Sequence, residues 1–148
     1  MRIAMGSDHG GFNLRLVIKA HLIEKGYEVV DFGCESKESV DYPDYALRVA
    51  NAITSGDCEL GVLVCGTGLG ISIAANKVKG IIAAPVSDTF SAEMARRHNN
   101  ANIIALGERV VGEGLALKIV DEFFGASFEG GRHAGRVDKI RNIEENYL

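Results

Sequence analysis

Short continuous apolar runs alternate along this chain with longer stretches whose apolar residues fall three or four apart, which predicts strands and helices in turn. Arg2 to Met5 begins a strand that stops at Gly6, and the loop Ser7-Asp8-His9-Gly10-Gly11 leads into a helix with Leu14, Val17, Ile18 and Leu22 on one face. Lys25-Gly26 ends that helix, cation then glycine. Tyr27 to Phe32 makes a second strand around β-branched Val29 and Val30. After a polar loop from Cys34 to Val40, Asp41-Tyr42-Pro43 opens a helix, with proline where the first turn tolerates it. Its predicted buried stripe is Ala46, Leu47, Ala50 and Ile53. Leu60 to Cys65 reads as a central buried strand, followed by a glycine turn and a small-residue helix closing at Lys77-Val78-Lys79-Gly80.

Ile81 to Val86 is a fourth strand, with Pro85 expected at its end because proline removes a ladder donor. Ser87 or Asp88 can cap the next helix, in which Phe90 and Met94 share a face, and Asn99-Asn100 suits a left-handed exit. Asn102 to Leu106 is the fifth strand. Leu115, Ile119, Val120 and Phe123 form the core face of another helix, and Val137, Ile140, Ile143 and Tyr147 lie at helical spacing in a last one. Five strands alternating with helices imply an α/β fold: a parallel sheet covered on both faces, joined by right-handed crossovers.

The 148 residues fit a single domain, and a 47% hydrophobic fraction supplies its core. A net charge of −4 offers no overall attraction to nucleic acid or to an anionic membrane, and no apolar run approaches the roughly 20 residues that span a bilayer. Three cysteines without CxxC spacing, and no signal-like segment ahead of the first strand, point to a reduced, cytoplasmic protein.

Candidate chemistry falls where parallel sheets bind ligands, beyond the carboxyl ends of strands. Asp8 and His9 follow the first strand, Cys65 with Gly66, Gly68 and Gly70 the third, and Arg109 the fifth. The glycine turn brings backbone N–H groups and a helix start to one point, a setting that holds an anion and favours the thiolate of a cysteine. The same residues also fit a small buried thiol in a tight connection. His98 can be a cation closing its helix, and Arg132 and Arg136, four apart, share a face suited to phosphate if the last helix starts early enough. Aldose–ketose isomerisation of a phosphorylated sugar uses such a set: a base moving a proton between adjacent carbons, donors for the enediolate, and cations for the phosphate. It requires no metal or organic cofactor. Gly66-Thr67-Gly68 with Asp88 about 20 residues on suggests a nicotinamide-dependent dehydrogenase, but the turn reads GxGxG rather than GxGxxG, and the chain leaves no room for a substrate domain. A phosphosugar-binding module without turnover is the non-enzymatic alternative.

The segments GSDHGG at 6 to 11, SVDYPDYA at 39 to 46, CGTGLGISIAANK at 65 to 77, HNNAN at 98 to 102, LGERVVG at 106 to 112 and GGRHAGRV at 130 to 137 together closely resemble the ribose/galactose/allose phosphate isomerase family, which includes the type B ribose-5-phosphate isomerases. The resemblance implies a three-layer α/β/α, Rossmann-like domain with an extra C-terminal helix. It also implies a homodimer, sometimes paired into a homotetramer, with active sites near the subunit interface and the last helix packed on the partner. By resemblance Cys65 is the base moving the proton between C1 and C2, and the backbone from Gly66 through Leu69 to Gly70 is the anion hole. His98 is then the ring-opening acid/base. Asp8, Thr67 and Asn99 contact hydroxyls or assist ring opening, while His9, Arg109, Arg132 and Arg136 bind phosphate. Some relatives carry a glutamate base a few residues later. Here Gly70-Ile71-Ser72 offers no carboxylate, which leaves the role to Cys65.

Overall fold

The computed structural model describes residues 1–147. Five strands, β1 (Arg2–Ser7), β2 (Glu28–Asp31), β3 (Leu60–Cys65), β4 (Ala83–Pro85) and β5 (Ile103–Gly107), alternate with helices α1 (Phe12–Glu24), α2 (Tyr42–Thr54), α3 (Leu69–Ala75), α4 (Thr89–Arg97) and α5 (Glu113–Phe124). A sixth helix, α6 (Arg132–Tyr147), follows. The strands form one parallel sheet in the order β2-β1-β3-β5-β4. This is a three-layer, Rossmann-like α/β/α arrangement. Strand order turns back between β1 and β3, so the carboxyl ends of these two neighbours flank the switch point where doubly wound sheets bind ligands.

Alternation along each strand divides the core. Ile3, Met5, Val62, Val64, Ile104 and Leu106 face α1, α4 and α5, whereas Ala4, Leu63, Cys65, Ile103 and Ala105 face α2 and α3. β3 is buried along its whole length, which suits its continuous apolar sequence. Pro85 ends β4, Asp88 caps α4 by accepting the Ser91 N–H at 2.7 Å, and Asn100 takes the left-handed conformation at φ 53°. Four details differ from expectation, the first being that α3 ends at Ala75, ahead of the expected close at Lys77-Val78-Lys79-Gly80. β1 runs on to Ser7, and β4 keeps only three residues of the run from Ile81 to Val86. The helix faces also shift. Leu47, Phe90 and Leu115 are exposed, Ile53 and Met94 are only partly covered, and the buried positions are Val49 and Ala52 of α2, Ala92 and Ala95 of α4, and Ala116 and Phe124 of α5.

α6 lies along the amino edge of the sheet. His133 in its first turn stacks on His98, which precedes β5, and its far end meets the residues ahead of β4, where Glu144 accepts the Gly80 N–H at 3.0 Å. Between α6 and the body lies an apolar cleft of about 350 Å³ lined by Ile81, Ile82, Ile140, Ile143 and Tyr147. Among the described residues α6 buries only His133 and Val137, leaving Ile140, Ile143 and Tyr147 exposed. No helix among them is long and apolar enough to cross a membrane.

Candidate active site

Cys65 is the last residue of β3, and Gly66, Thr67 and Gly68 carry the chain into α3. Gly68 adopts φ +80°, a conformation open to glycine at little cost, and its N–H donates to Cys65 Sγ at 3.1 Å. A backbone N–H so aimed supports negative charge on the sulfur. Leu69 N–H donates to Thr67 Oγ1 at 3.2 Å, which fixes the threonine at the rim of the turn. The loop after β5 packs beneath. Glu108 N–H donates to the Cys65 carbonyl and Arg109 N–H to the Gly66 carbonyl, at 2.9 and 3.0 Å, and the Arg109 guanidinium occupies the space a side chain at position 66 would need. A cleft of about 270 Å³ borders the turn, lined by Thr67, Leu69, Pro85, Val86, Ser87 and Val110.

On the other side of the switch point, the chain leaves β1 through a single 3-10 turn, His9–Gly11, capped by the buried Asp8, whose Oδ1 accepts the Gly10 N–H at 2.9 Å. Gly10 abuts Gly66, so the two loops touch. His9 Nδ1 accepts the Val40 N–H at 3.2 Å. A neutral imidazole accepting at Nδ1 carries its proton on Nε2, and this contact therefore presents His9 as a donor. Tyr42, at the start of α2, lays its ring against Gly70. Glu108 Oε1 accepts the Leu14 N–H at 2.6 Å, tying the Arg109 loop to the start of α1.

The remaining expected residues stand at the opposite edge. His98 caps α4 and Asn99 follows it, both ahead of β5, while the register pairs Cys65 with Gly107 at that strand's far end. β5, about 15 Å long at roughly 3.3 Å per residue, separates the His98 end from the Cys65 end. The His98 ring stacks on His133 with centroids 4.0 Å apart and planes 9° from parallel, and Glu129 Oε1 approaches both Nε2 atoms, at 3.7 and 3.6 Å. Burial holds His133 below the ordinary histidine pKa, with His98, Arg132 and Arg136 pushing the same way and Glu129 opposing. Arg132 and Arg136 open α6 on this edge, one turn apart and exposed. His98, Glu129 and His133 offer ligand atoms within 4.8 Å of one another. However, near-parallel rings direct their in-plane lone pairs side by side rather than at a common point, and this is not the convergence a metal ion needs.

Within one chain, then, Asp8, His9, Cys65, Gly66, Thr67, Gly68, Leu69, Gly70 and Arg109 are gathered, and His98, Asn99, Arg132 and Arg136 are held apart from them. Sequence reasoning did not single out Val40, Tyr42, Glu129 or His133. Of these Val40 and Tyr42 carried a signal, lying inside the segment 39 to 46, as did His133, inside the segment 130 to 137.

Fold and clefts define a doubly wound α/β protein with a polar, thiol-bearing site at its switch point. The family described as Ribose/Galactose Isomerase matches residues 3–140, and the chain belongs to it. It is 53% identical over 144 residues, 97% of each chain, to ribose-5-phosphate isomerase B of Escherichia coli, and 45% identical to D-erythrulose-4-phosphate isomerase of Pectobacterium atrosepticum, covering 97% of this chain and 95% of that one. Among solved structures, ribose-5-phosphate isomerase B of Clostridium thermocellum superposes over the whole of both chains with a TM-score of 0.98 at 59% identity.

Proposed function

We propose that this chain is a cofactor-independent isomerase of ribose 5-phosphate and ribulose 5-phosphate, working as a homodimer in which each active site joins the carboxyl edge of one copy to the amino edge of the other. The Gly68 N–H donated to Cys65 Sγ at the switch point carries the catalytic part of this reading. Cys65, as thiolate, takes the proton from C2 of the open-chain aldose, and the released electron pair forms the C1–C2 double bond of an enediolate as the carbonyl electrons move onto O1. A proton passes from O2 to O1, and Cys65, whose S–H exchanges with solvent during the life of the enediolate, delivers a proton to C1, leaving the ketose. Gly68 N–H serves the sulfur and Leu69 N–H the Thr67 hydroxyl, so stabilising the enediolate oxygens falls to the remaining N–H groups of the turn between Gly66 and Gly70. Asp8 and Thr67 hold hydroxyls, and His9 and Arg109 bind phosphate on this edge. The second copy supplies His98 for ring opening, Asn99 for a hydroxyl, and Arg132 and Arg136 for the phosphate.

Two features support the dimer. A two-fold pairing sets carboxyl edge against amino edge twice, giving two equivalent sites. Apolar side chains also remain uncovered on α2, α3 and α6, among them Leu47, Leu69, Ile73, Ile140 and Ile143. The names of the E. coli and C. thermocellum relatives support ribose 5-phosphate as substrate, and that of the P. atrosepticum relative supports a second reading in which the same site takes another sugar phosphate. Comparing turnover of ribose 5-phosphate, allose 6-phosphate and erythrulose 4-phosphate decides between them. The base assignment is tested by Cys65→Ala, which should lower turnover by about 10²–10⁴-fold, the weight of a positioned base, while calorimetry still registers sugar-phosphate binding. Turnover near wild type would overturn it.

A further inference from the structure

Arg15 is a charged side chain buried to 4% exposure next to the site, and the mechanism above makes no use of it. Its guanidinium fills the space that a side chain at Gly33 would occupy and lies over the Phe12 ring, 5.2 Å from the centroid. Nε faces the Asp31 carboxylate at 3.3 Å without forming a hydrogen bond among the described residues, and Lys19 Nζ approaches the other Asp31 oxygen at 3.2 Å. Both ends of the fork are bonded. Nη1 donates to Ser7 Oγ at 2.6 Å and Nη2 to the Cys34 carbonyl at 2.7 Å.

These two acceptors begin the two segments that meet at His9. Ser7 ends β1 two residues before His9, and Cys34 begins the polar loop whose other end, Val40, donates its N–H to His9 Nδ1. A charge this deeply buried is tolerated only when paired, and a rigid fork can hold two acceptors in fixed relation where a lysine's point charge cannot. We propose that Arg15 is a positioning residue that spans Ser7 and Cys34 and thereby sets the 34–40 loop so that Val40 holds His9 as the Nε2–H tautomer, the donor presented to the substrate phosphate. The proposal rests on the reading of His9 as a phosphate ligand. A role confined to stability lowers the melting temperature and leaves the constants of the folded enzyme unchanged, whereas positioning through His9 alters the ring itself.

The experiment pairs Arg15→Lys with His9→Ala and the double variant in ribose 5-phosphate kinetics, and reads the His9 tautomer in wild type and Arg15→Lys by long-range ¹H–¹⁵N spectra of the histidine rings. Arg15→Lys should raise KM about tenfold, the weight of one charge-assisted hydrogen bond, with kcat within about threefold of wild type. It should add nothing in the His9→Ala background and should convert His9 from a single Nε2–H tautomer to a mixture. Ser7→Ala, which removes one acceptor of the fork and leaves the charge in place, should move the spectrum the same way to a smaller extent, and it carries the test if Arg15→Lys does not fold. Effects of Arg15→Lys and His9→Ala that multiply, or a His9 spectrum unchanged in both Arg15→Lys and Ser7→Ala, would overturn the proposal. A His9→Ala enzyme with unchanged KM would instead overturn the phosphate role of His9, and the tautomer spectrum would then decide alone whether Arg15 sets the ring.

Discussion

Co-expression of Cys65→Ala chains with His98→Asn chains should restore activity that neither variant has alone. The two side chains stand at opposite edges of the sheet, separated by the length of β5, about 15 Å, beyond the reach of any shared hydrogen bond. In a mixed two-fold dimer one site combines both altered edges and the other combines two intact ones. Each mixed dimer keeps one intact site of its two, so purified mixed dimers should show about half of wild-type activity and a randomly paired population about a quarter. A control pair drawn from one edge, Cys65→Ala with Asp8→Asn, should restore none, because every site then carries one lesion or the other. The assay is initial-rate ketose formation by doubly tagged, purified mixed dimers, normalised to protein. If the opposite-edge pair gave no recovery while both chains dimerised, the division of the site between copies would be refuted.

Three further outcomes follow from local geometry. A side chain at Gly107 would meet the Thr67 backbone, its Cβ 2.6 Å from the carbonyl carbon, so Gly107→Ala should cost about 1–3 kcal/mol in urea denaturation as the core is overpacked. A wild-type midpoint would count against that tight fit. Burial holds the His133 imidazole below its ordinary pKa, and the unfolded chain therefore binds a proton near pH 6.5 that the folded chain refuses. Stability should be full above that pH and decline as pH falls through it toward the folded pKa. His133→Gln should flatten that acid limb, and an unchanged slope would contradict the assignment. Arg136→Ala should raise KM for ribose 5-phosphate more than it lowers kcat, and an unchanged KM would remove Arg136 from the phosphate site.

Much of the fold was legible because strand runs and helix ends carry strong local signals. Pro85 at the end of β4, Asp88 at a cap and Asn100 in the left-handed turn each follow from backbone chemistry that needs no tertiary knowledge. Helix faces were harder to read. Periodicity weighs side-chain apolarity and cannot tell which apolar face the sheet covers. The small Ala92 and Ala95 are buried beneath α4 while Phe90 is exposed, and Leu47 and Leu115 likewise point away from the core. In the site, the loops after β1, β3 and β5 were readable from strand order alone. Strand order also placed His98 ahead of β5, at the opposite edge, but the position of Arg132 and Arg136 was not readable, because it depends on where α6 docks and no local pattern in a polar helix specifies that. Arg15 escaped notice for a related reason, since a basic residue in an amphipathic helix reads as solvated until Gly33 and Cys34 fold around it.

Isomerisation through an enediolate is read out most directly by following ribose 5-phosphate with the purified, reduced protein by proton NMR in deuterated buffer. Ribulose 5-phosphate should accumulate with solvent deuterium entering at C1. Folded, dimeric protein that produced neither ketose nor exchange would contradict this route.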